Sequence, residues 1–557
     1  MKKRKPFNSI IMTTRSHQEQ VDPPTNSLVS ALLTDLYQIT MTYAHWKIGK
    51  QEDPATFELF FRTNPFHGQF TIFCGLDECI KHIASFQFTQ EDIDYLKSTP
   101  ALSHCEEAFF DYLLQLDTSR LTVRAMREGT IAFPRTPLLI VQGPLGLGQL
   151  LETTLLNLVN YPSLIATNAA RMVCRAQGRT CIEFGLRRAQ GPDGACSASK
   201  YSYVGGFSAT SNVQAGKMFG IPIAGTHAHA YVQAFTSLSE VEDLELIHRK
   251  MSGEQSSSIK FLPTVLKYRN NDPTRSTNDG ELAAFVAYAC AFPENCLCLI
   301  DTYDTIQSGL SNFCYVAQAL DDFGYTPRGI RLDSGDLREL SMICATKFAQ
   351  LAQERGNQAF ANMTIVASND INESFLQELA TKPHGITAFG IGTNLVTCQA
   401  QPALGCVYKL VTWKGVPRIK ISEDLPKVTI PGNKMVFRLF GATGQPITDY
   451  IIQEGEDAPQ PGQRVVCRNP FHPQSRTAVT PTQVVNLHAT VFEMGHVKES
   501  PCSIHDSRAY VHEQLKNLTE EFVVLDNPSV YPVTVSTKLF QFFHGLWDQE
   551  APVNELR

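Results

Sequence analysis

Residues 297–393 repeat one unit four times: a short apolar strand, a polar loop and, in most repeats, a helix. The strands are predicted at Leu297–Ile300, Gly329–Leu332, Met363–Ala367 and Ile386–Phe389. Their first residues lie 32, 34 and 23 positions apart, which is the length of one strand–helix unit. In a parallel β/α barrel the carboxyl ends of the strands meet at one mouth, where ligands bind. The repeat therefore predicts such a barrel with a ligand site at its mouth.

The residues that follow these strands suit a phosphate-rich ligand. Acidic residues follow the first two strands, in Asp301–Thr302 and Asp333–Asp336, and Ser368–Asp370 follows the third. The fourth leads into Gly390–Thr393, whose backbone N–H groups and hydroxyl can hold a phosphate. Mg²⁺ usually binds through one or two carboxylates together with substrate phosphates. We therefore expect a magnesium-bound polyphosphate at this mouth.

The rest of the chain is expected to add barrel strands and a second layer. Two more strand units are predicted at Thr180–Phe184 and Ile221–Ala224, which gives six strands of a six- to eight-stranded barrel. Paired strands are predicted in 55–74 and in 121–142, and a hairpin around Lys414 and Gly415. The predicted fold class is α/β, with an irregular parallel β/α barrel plus an α+β sandwich domain formed by the N- and C-terminal segments.

The expected domain boundaries follow from these changes of pattern. They are 1–27 for a disordered basic tail, 28–145 for the N-terminal α+β domain, 146–400 for the barrel with a surface insertion at 236–280, and 401–557 for a C-terminal segment that extends the sandwich. Within them, Asp35 is expected to cap a helix with Gln38 as its capping-box partner. An amphipathic helix over 147–159 is expected to kink or end at Pro162.

Composition excludes several classes of function. The chain has 557 residues and a net charge of −7, which argues against a general nucleic-acid or anionic-membrane partner. No apolar run reaches the roughly 18 residues that span a bilayer. Fifteen scattered cysteines without a C-x-x-C predict free thiols in a reducing compartment, and hence a cytosolic location. The closest pair, Cys296 and Cys298, is expected to point to opposite faces of a strand.

Two charged pairs are candidates for the site, and each has a structural alternative. Arg331 and Asp333 share one face of a strand, where they form either a ligand site or an internal ion pair that closes the barrel. Arg187 and Arg188 point apart in an extended chain, so one of them is expected to face the site, unless both are solvated.

His227 and His229 end the Ile221–Ala224 unit, two residues apart. Histidines at this spacing can share a metal, but no third ligand is evident in the sequence. A histidine that accepts a phosphoryl group is chemically reasonable at the mouth of a polyphosphate site. A hydrogen-bonded structural histidine is the alternative for either residue.

Several of these strings are shared with one enzyme family. The chain resembles nicotinate phosphoribosyltransferase, a type II phosphoribosyltransferase, from about Leu32 to the C-terminus, and its length and residues 408–410 are similar to the animal branch. The matching strings lie at 32–38 (LLTDLYQ), 57–62 (FELFFR), 150–153 (LLET), 185–194 (GLRRAQGPDG), 224–229 (AGTHAH), 331–337 (RLDSGDL) and 390–393 (GIGT). One position departs from the pattern, because His227 stands where the family has an apolar residue.

The resemblance implies a reaction in which nicotinate attacks C1 of 5-phosphoribosyl 1-pyrophosphate. The products are nicotinate mononucleotide and pyrophosphate, in the first step of NAD salvage from nicotinic acid. The resemblance also implies ATP as a co-substrate, hydrolysed through a phosphohistidine, Mg²⁺ or Mn²⁺ as the metal, and a homodimer with shared active sites. A carboxylate and a metal-stabilised leaving group both suit the oxocarbenium character of the transition state.

The resemblance also implies a role for each matching site residue. These are Tyr37 of the partner subunit and Arg331 on the pyridine ring and its carboxylate, Thr226 on the substrate, Arg187 on phosphate, Gly392 and Thr393 on the 5′-phosphate, Asp333 on the ribose hydroxyls or the metal, and His229 as the phosphorylated residue. The alternatives at this stage are a nicotinamide phosphoribosyltransferase, a quinolinate phosphoribosyltransferase, a catalytically inactive homologue and a metal-dependent barrel hydrolase.

Overall fold

A six-stranded parallel sheet forms the centre of the molecule in a computed structural model that describes residues 22–250, 258–273, 276–422, 427–499, 502–524 and 526–551. Of the expected N-terminal tail, residues 1–21 lie outside the described residues. In spatial order the strands are Leu297–Leu299, Gly329–Leu332, Thr364–Ala367, Ala388–Ile391, Thr180–Glu183 and Ala209–Thr210. Each neighbouring pair is parallel, so all carboxyl ends lie along one edge.

One strand prediction for this sheet was wrong, and one strand was missed. The segment Ile221–Ala224 is not a regular strand, because it makes only an isolated bridge between Thr210 and Ile223. The sixth strand is instead the two-residue Ala209–Thr210. In the part of the chain that is described, no ladder joins Leu297–Leu299 to Ala209–Thr210, so closure of the barrel stays a prediction.

Two further sheets bring the two ends of the chain together. The first is antiparallel, with strands in the spatial order Val416–Pro417, Val407–Trp413, Pro54–Phe60, Leu139–Pro144, Thr122–Ala125, Ala489–Glu493 and His496–Val497. The second has the order Arg476–Val479, Val465–Arg468, Val533–Val535, Pro446–Gln453, Lys434–Phe440 and Gln483–Asn486. The predicted α+β layer from N- and C-terminal segments is therefore present. Two small antiparallel pairs are Thr71–Ile72 with Ile131–Ala132 and Glu245–Ile247 with Ser258–Lys260.

One predicted pairing in this layer was wrong and another is confirmed. The strands Pro54–Phe60 and Thr71–Ile72 do not pair with each other, because they belong to different sheets. The hairpin at Lys414 and Gly415 forms as predicted, with Val407–Trp413 paired to Val416–Pro417.

Helices cover the sheets and connect their strands. The α-helices are Leu36–Lys47, Leu76–Ser85, Gln90–Ser98, Glu107–Gln115, Leu145–Leu150, Glu152–Arg175, Gly191–Val204, Val213–Phe219, His229–Gln233, Leu262–Asn270, Asp279–Ala291, Ser311–Asp322, Leu337–Arg355, Glu373–Ala380, Thr393–Thr397, Ile504–Asn517, Glu520–Val523 and Thr537–Glu550. Asp35 is the N-cap of the first helix, but its side chain makes no capping hydrogen bond. None of these helices, within the described residues, is long and apolar enough to cross a membrane.

Pro162 does not end its helix, which runs unbroken from Glu152 to Arg175. A proline cannot donate to the carbonyl four residues earlier, which here belongs to Leu158. Gly75, with φ of +102°, packs against this carbonyl so closely that a Cβ atom would lie 1.9 Å from the oxygen. The carbonyl of Leu158, which Pro162 leaves without its usual helical donor, is therefore covered by the close packing of Gly75.

Residues 236–280 are not only a surface insertion. Phe261 and Val265 are fully buried, and the helix Leu262–Asn270 packs against Ser311–Asp322.

The prediction for the cysteines was right about free thiols and wrong about one pair. All fifteen thiols are free, but Cys296 and Cys298 lie with their Sγ atoms 3.8 Å apart. Residues at i and i+2 of a strand share a face, which explains their proximity.

Candidate active site

The carboxyl ends of the parallel strands surround a cavity of about 750 Å³. Its polar lining comes from five of the six strand ends and from the 221–229 segment, and consists of Arg187, Arg188, Ser211, Thr226, His227, Arg331, Asp333, Ser368, Asn369, Asp370 and Thr393. Phe184 adds an aromatic wall. Its ring packs directly on Gly390, so closely that a Cβ atom added to this glycine would lie 2.4 Å from a ring carbon. Three arginines face two aspartates, so the cavity suits an anion.

Arg331 is the cation deepest in this arrangement. Its Nε is buried without a hydrogen-bond partner, and burial lowers the pKa of the guanidinium despite the nearby carboxylates of Asp333 and Asp301. The alternative of an internal Arg331–Asp333 ion pair is not realised among the described side chains. A buried, unneutralised guanidinium is suited to a planar carboxylate, which can accept two parallel hydrogen bonds.

Asp333 and Asp301 place two carboxylates side by side at neighbouring strand ends. Asp301 accepts hydrogen bonds from the Asp333 N–H, at 3.2 Å, and from the Ser334 hydroxyl. Asp333 accepts a hydrogen bond from the Ser368 hydroxyl and is about one-third exposed to the cavity. Asp301 Oδ1 is buried without a hydrogen-bond donor, so an acceptor is free for a ligand or a metal.

His229 lies beside this carboxylate pair. Its Nε2 is 3.8 Å from Asp333 Oδ2 and 4.0 Å from Asp301 Oδ1, and its Nδ1 is 3.2 Å from Thr302 Oγ1. The side chain is 40% exposed, so the imidazole is accessible to a substrate. Nδ1 shares a hydrogen bond with the Thr302 hydroxyl, while Nε2 faces the two carboxylates from just beyond hydrogen-bonding distance.

His227 behaves differently from His229, although the two are only two residues apart. Its ring is buried and its Nε2 accepts a hydrogen bond of 3.3 Å from the Leu299 N–H. Burial lowers the pKa of this imidazole to about 4. Among the described residues, no group of three or more His, Cys, Asp or Glu side chains is placed to hold a metal ion.

The glycine-rich loop and the arginines complete the cavity wall. Gly392 precedes the short helix Thr393–Thr397, and both Gly392 and Thr393 line the cavity. Arg187 and Arg188 both line it as well, so the expectation that only one would face the site was wrong. They lie in a 3₁₀ turn at Leu186–Arg188 rather than in extended chain, and this turn changes the directions of the two side chains.

Two candidate residues, Tyr37 and His229, are not part of the cavity lining, but His229 lies 3.8 Å from Asp333, which lines it, whereas Tyr37 has no such neighbour in the described cavity wall. Tyr37 lies on the helix Leu36–Lys47 and is 47% exposed. The cavity rim carries three exposed apolar side chains, Leu186, Val213 and Ile223.

Sequence reasoning missed several contacts that shape the site. Asp301 was expected only as a polar strand end, and its proximity to His229 depends on the order of strands. From the sequence, Asn369 or Asp370 could either cap the next helix or contact the ligand, and the structure shows that Asn372 is the cap, since it accepts from the Phe375 N–H. Asn369 and Asp370 instead have φ of +88° and +49° and line the cavity. Asn and Asp tolerate that conformation better than most residues, which was the available signal.

Comparison with known proteins identifies the family. The N-terminal domain of nicotinate phosphoribosyltransferase matches residues 32–160, the nicotinate phosphoribosyltransferase family matches 180–441, and the C-terminal domain of that enzyme matches 433–543. The chain belongs to the nicotinate phosphoribosyltransferase family. A family member from Arabidopsis thaliana, nicotinate phosphoribosyltransferase 1, is 48% identical over 96% of this chain and 97% of its own length.

Two further members of the nicotinate phosphoribosyltransferase family extend the match. The nicotinate phosphoribosyltransferase of Caenorhabditis elegans is 46% identical over 95% of this chain and 96% of its own length. The crystal structure of human nicotinic acid phosphoribosyltransferase superimposes with a TM-score of 0.82 at 40% identity, over 92% of this chain and all of that one. The match therefore extends beyond the parallel sheet to both terminal segments.

Proposed function

We propose that this chain transfers the phosphoribosyl group of 5-phosphoribosyl 1-pyrophosphate to the ring nitrogen of nicotinate, with ATP hydrolysis as the coupled reaction. The observation that carries the proposal is the guanidinium of Arg331, which lines an anion-suited cavity, has a buried Nε without a hydrogen-bond partner and forms no ion pair among the described residues. A pyridine carboxylate supplies the missing negative charge, whereas the neutral amide of nicotinamide does not. The aromatic ring of Phe184 offers a flat wall for the pyridine ring.

The other ligand groups follow from the chemistry of the lining. Gly392 and Thr393 offer backbone N–H groups and a hydroxyl for the 5′-phosphate. Arg187 neutralises phosphate charge, and Thr226 hydrogen-bonds the substrate. Because no protein nucleophile attacks the sugar, positioning and electrostatic stabilisation supply most of the rate enhancement.

A divalent metal, Mg²⁺ or Mn²⁺, fits the carboxylate pair. Asp333 is exposed to the cavity, and Asp301 Oδ1 is a buried acceptor without a donor. One or two carboxylates together with substrate phosphates are a normal Mg²⁺ environment, although these side chains alone do not form a complete ligand set. When bound, the metal neutralises the charge that develops on the departing pyrophosphate.

His229 is the residue that we propose couples ATP. An imidazole nitrogen attacks the γ-phosphorus, the bond to the ADP oxygen breaks, and ADP leaves. Water later cleaves the N–P bond and releases phosphate. Thr302 and the two carboxylates orient the ring, and we propose Nδ1 as the attacking nitrogen because Nε2 faces Asp301 and Asp333.

We propose that the working enzyme is a cytosolic homodimer in which Tyr37 of the partner subunit covers the pyridine ring. The exposed apolar rim at Val213 and Ile223, the exposed Tyr37 and the free thiols support this proposal. Mixing Tyr37→Ala with His229→Ala chains tests the dimer. Random pairing makes half of the dimers mixed, with one intact site each, so roughly a quarter of wild-type activity returns. No recovery would refute a shared site.

The reaction is tested by product formation from phosphoribosyl pyrophosphate with nicotinate or nicotinamide, each with and without ATP and Mg²⁺. We expect nicotinate turnover that ATP stimulates and that chelation of the metal abolishes. The His229→Ala variant should lose the stimulation by ATP. Preference for nicotinamide would refute the proposed substrate, and no turnover with either base would refute the proposed activity.

A further inference from the structure

The segment that delivers His229 to the site has little backbone support. Residues 221–229 make one isolated bridge, from Ile223 to Thr210, before the short helix that begins at His229. A loop with one bridge is free to shift relative to the sheet. After His229, the short helix is anchored by the buried Val232 and by the Tyr231 hydroxyl, which donates to the Ala284 carbonyl, so the segment before His229 is the less supported side.

The open edge of the parallel sheet offers the 221–229 segment a further attachment. The Ile300 N–H donates to the Arg331 carbonyl on the neighbouring strand, so the Leu299 N–H points to the opposite, open side. An edge strand presents such unpaired N–H groups. Here the acceptor is the imidazole of His227, with Nε2 at 3.3 Å from the Leu299 nitrogen.

The side chains around His227 fix the orientation of its ring. Its centroid lies 4.8 Å from that of Tyr288 and 5.2 Å from that of Tyr231. Because Nε2 accepts a hydrogen bond, it carries no proton, and the ring is neutral with its proton on Nδ1. Nδ1 is buried, so neither ring nitrogen of His227 is exposed to a substrate.

The strand that His227 contacts is also the strand that leads to the partners of His229. Asp301 and Thr302 follow Leu297–Leu299 after Ile300 and face the two nitrogens of His229, with Asp301 Oδ1 at 4.0 Å from Nε2 and Thr302 Oγ1 at 3.2 Å from Nδ1. We propose that His227 is a positioning residue that fixes His229 against Asp301 and Thr302 by accepting the Leu299 N–H. This inference rests on the proposed phosphorylation of His229, and it assigns His227 to the ATP-dependent part of the reaction.

The test compares His227→Leu, which removes the acceptor, with His227→Gln, whose amide oxygen can take the place of Nε2. His384→Leu is the matched control, because His384 Nδ1 also accepts a backbone N–H, from Ile386 at 3.2 Å, but lies before the strand Ala388–Ile391, away from the cavity. Two quantities are measured: the single-turnover rate of acid-labile labelling from γ-labelled ATP, and transfer to nicotinate with and without ATP.

We expect His227→Leu to slow labelling about 100-fold, since a misplacement of about 1 Å can cost that much. Its ATP-independent transfer should fall far less than its labelling rate. His227→Gln should recover most of the labelling rate, and His384→Leu should label like the wild type.

Three results would overturn the inference, and they are distinguishable. Labelling of His227→Leu at the wild-type rate refutes the positioning role alone. Equal loss of ATP-dependent and ATP-independent transfer, without recovery in His227→Gln, shows a purely structural role. A wild-type protein that takes no label refutes the proposed phosphorylation, and the inference with it.

Discussion

Of two Arg–Asp pairs in this molecule, one forms a buried ion pair and the other does not. In the C-terminal sheet Arg438 and Asp449 lie directly opposite each other on paired strands and form a buried, two-pronged ion pair, with distances of 2.8 and 2.9 Å. Arg331 and Asp333 lie two residues apart on one strand and form no ion pair. Directly opposed residues on paired strands are about 4.5–5.5 Å apart, whereas residues at i and i+2 of one strand are about 6.6 Å apart, which makes a two-pronged ion pair easier to form across strands. Strand register thus decides whether the same two residue types stabilise the fold or remain available for a ligand.

The largest expected effect comes from breaking the buried pair. Arg438→Met leaves Asp449 as an unpaired buried carboxylate, and we expect the free energy of unfolding to fall by about 3–5 kcal/mol. The double variant Arg438→Met, Asp449→Leu should recover most of that loss. Urea denaturation of both variants measures the difference, and a double variant no more stable than the single one would contradict this account.

The equivalent change at the mouth should affect binding and not stability. Arg331→Met removes hydrogen bonds to a charged group, which are worth about 1.5–3 kcal/mol, so the KM for nicotinate should rise about 10- to 150-fold. The free energy of unfolding should stay unchanged or rise, because a buried cation without an ion pair is removed. Steady-state kinetics and urea denaturation of one preparation give both values. A marked loss of stability would show that Arg331 supports the fold.

Two buried carboxylates extend the comparison to pH. Glu58 has Lys434 at 3.0 Å, whereas Glu281 has only the neutral donors Ser308 and Asn312. Burial raises the pKa of Glu281 from its ordinary 4.5 to about 7. The folded state therefore holds a proton that the unfolded state has lost, and raising the pH through this window should lower the free energy of unfolding by up to about 1.4 kcal/mol per pH unit.

The Glu281→Gln variant isolates this effect. Its stability should change less with pH between about 4.5 and 7 than that of the wild type, and above pH 7 the wild-type slope from this group should vanish. Denaturation curves at several pH values measure the two slopes. Identical slopes would mean that Glu281 is ionised in the folded protein throughout this range.

The smallest expected effect is at the surface. Lys382 and Glu378 form an i, i+4 ion pair on the edge of the molecule, with side chains 48% and 60% exposed. Lys382→Ala should change the free energy of unfolding by less than about 0.5 kcal/mol, and added salt should remove even that difference. A change as large as that of Arg438→Met would refute the distinction between buried and exposed pairs.

The elements that the sequence predicts best are the ones whose pattern is local. Gly329–Leu332 has the predicted bounds, and Asp336 caps the following helix by accepting from the Glu339 N–H, because both depend on neighbouring residues. Ala209–Thr210 was missed because two residues show no periodicity. Pro162 was misjudged because the packing of Gly75 against Leu158, 83 residues away in the chain, has no local signal.

The same division holds at the site. The motifs around Arg331 and Gly392 gave the lining residues, since strand ends must converge in a parallel sheet. The contacts of His229 with Asp301 and Thr302, and of His227 with Leu299, depend on which strand lies next to the 221–229 segment. The sequence does not encode that proximity in any short pattern.

The sheet that joins the two ends of the chain also has a consequence for synthesis. Pro54–Phe60 pairs with Val407–Trp413, and Thr122–Ala125 with Ala489–Glu493, so each early strand must wait for roughly 350 residues to be translated. At ribosomal speeds of about 5–20 residues per second the wait is on the order of 20–70 s. All six strands of the parallel sheet lie between Thr180 and Ile391 and emerge within that interval. The nascent chain can therefore assemble its catalytic sheet while the first-made strands still have exposed edges, and those edges are where a chaperone is most needed.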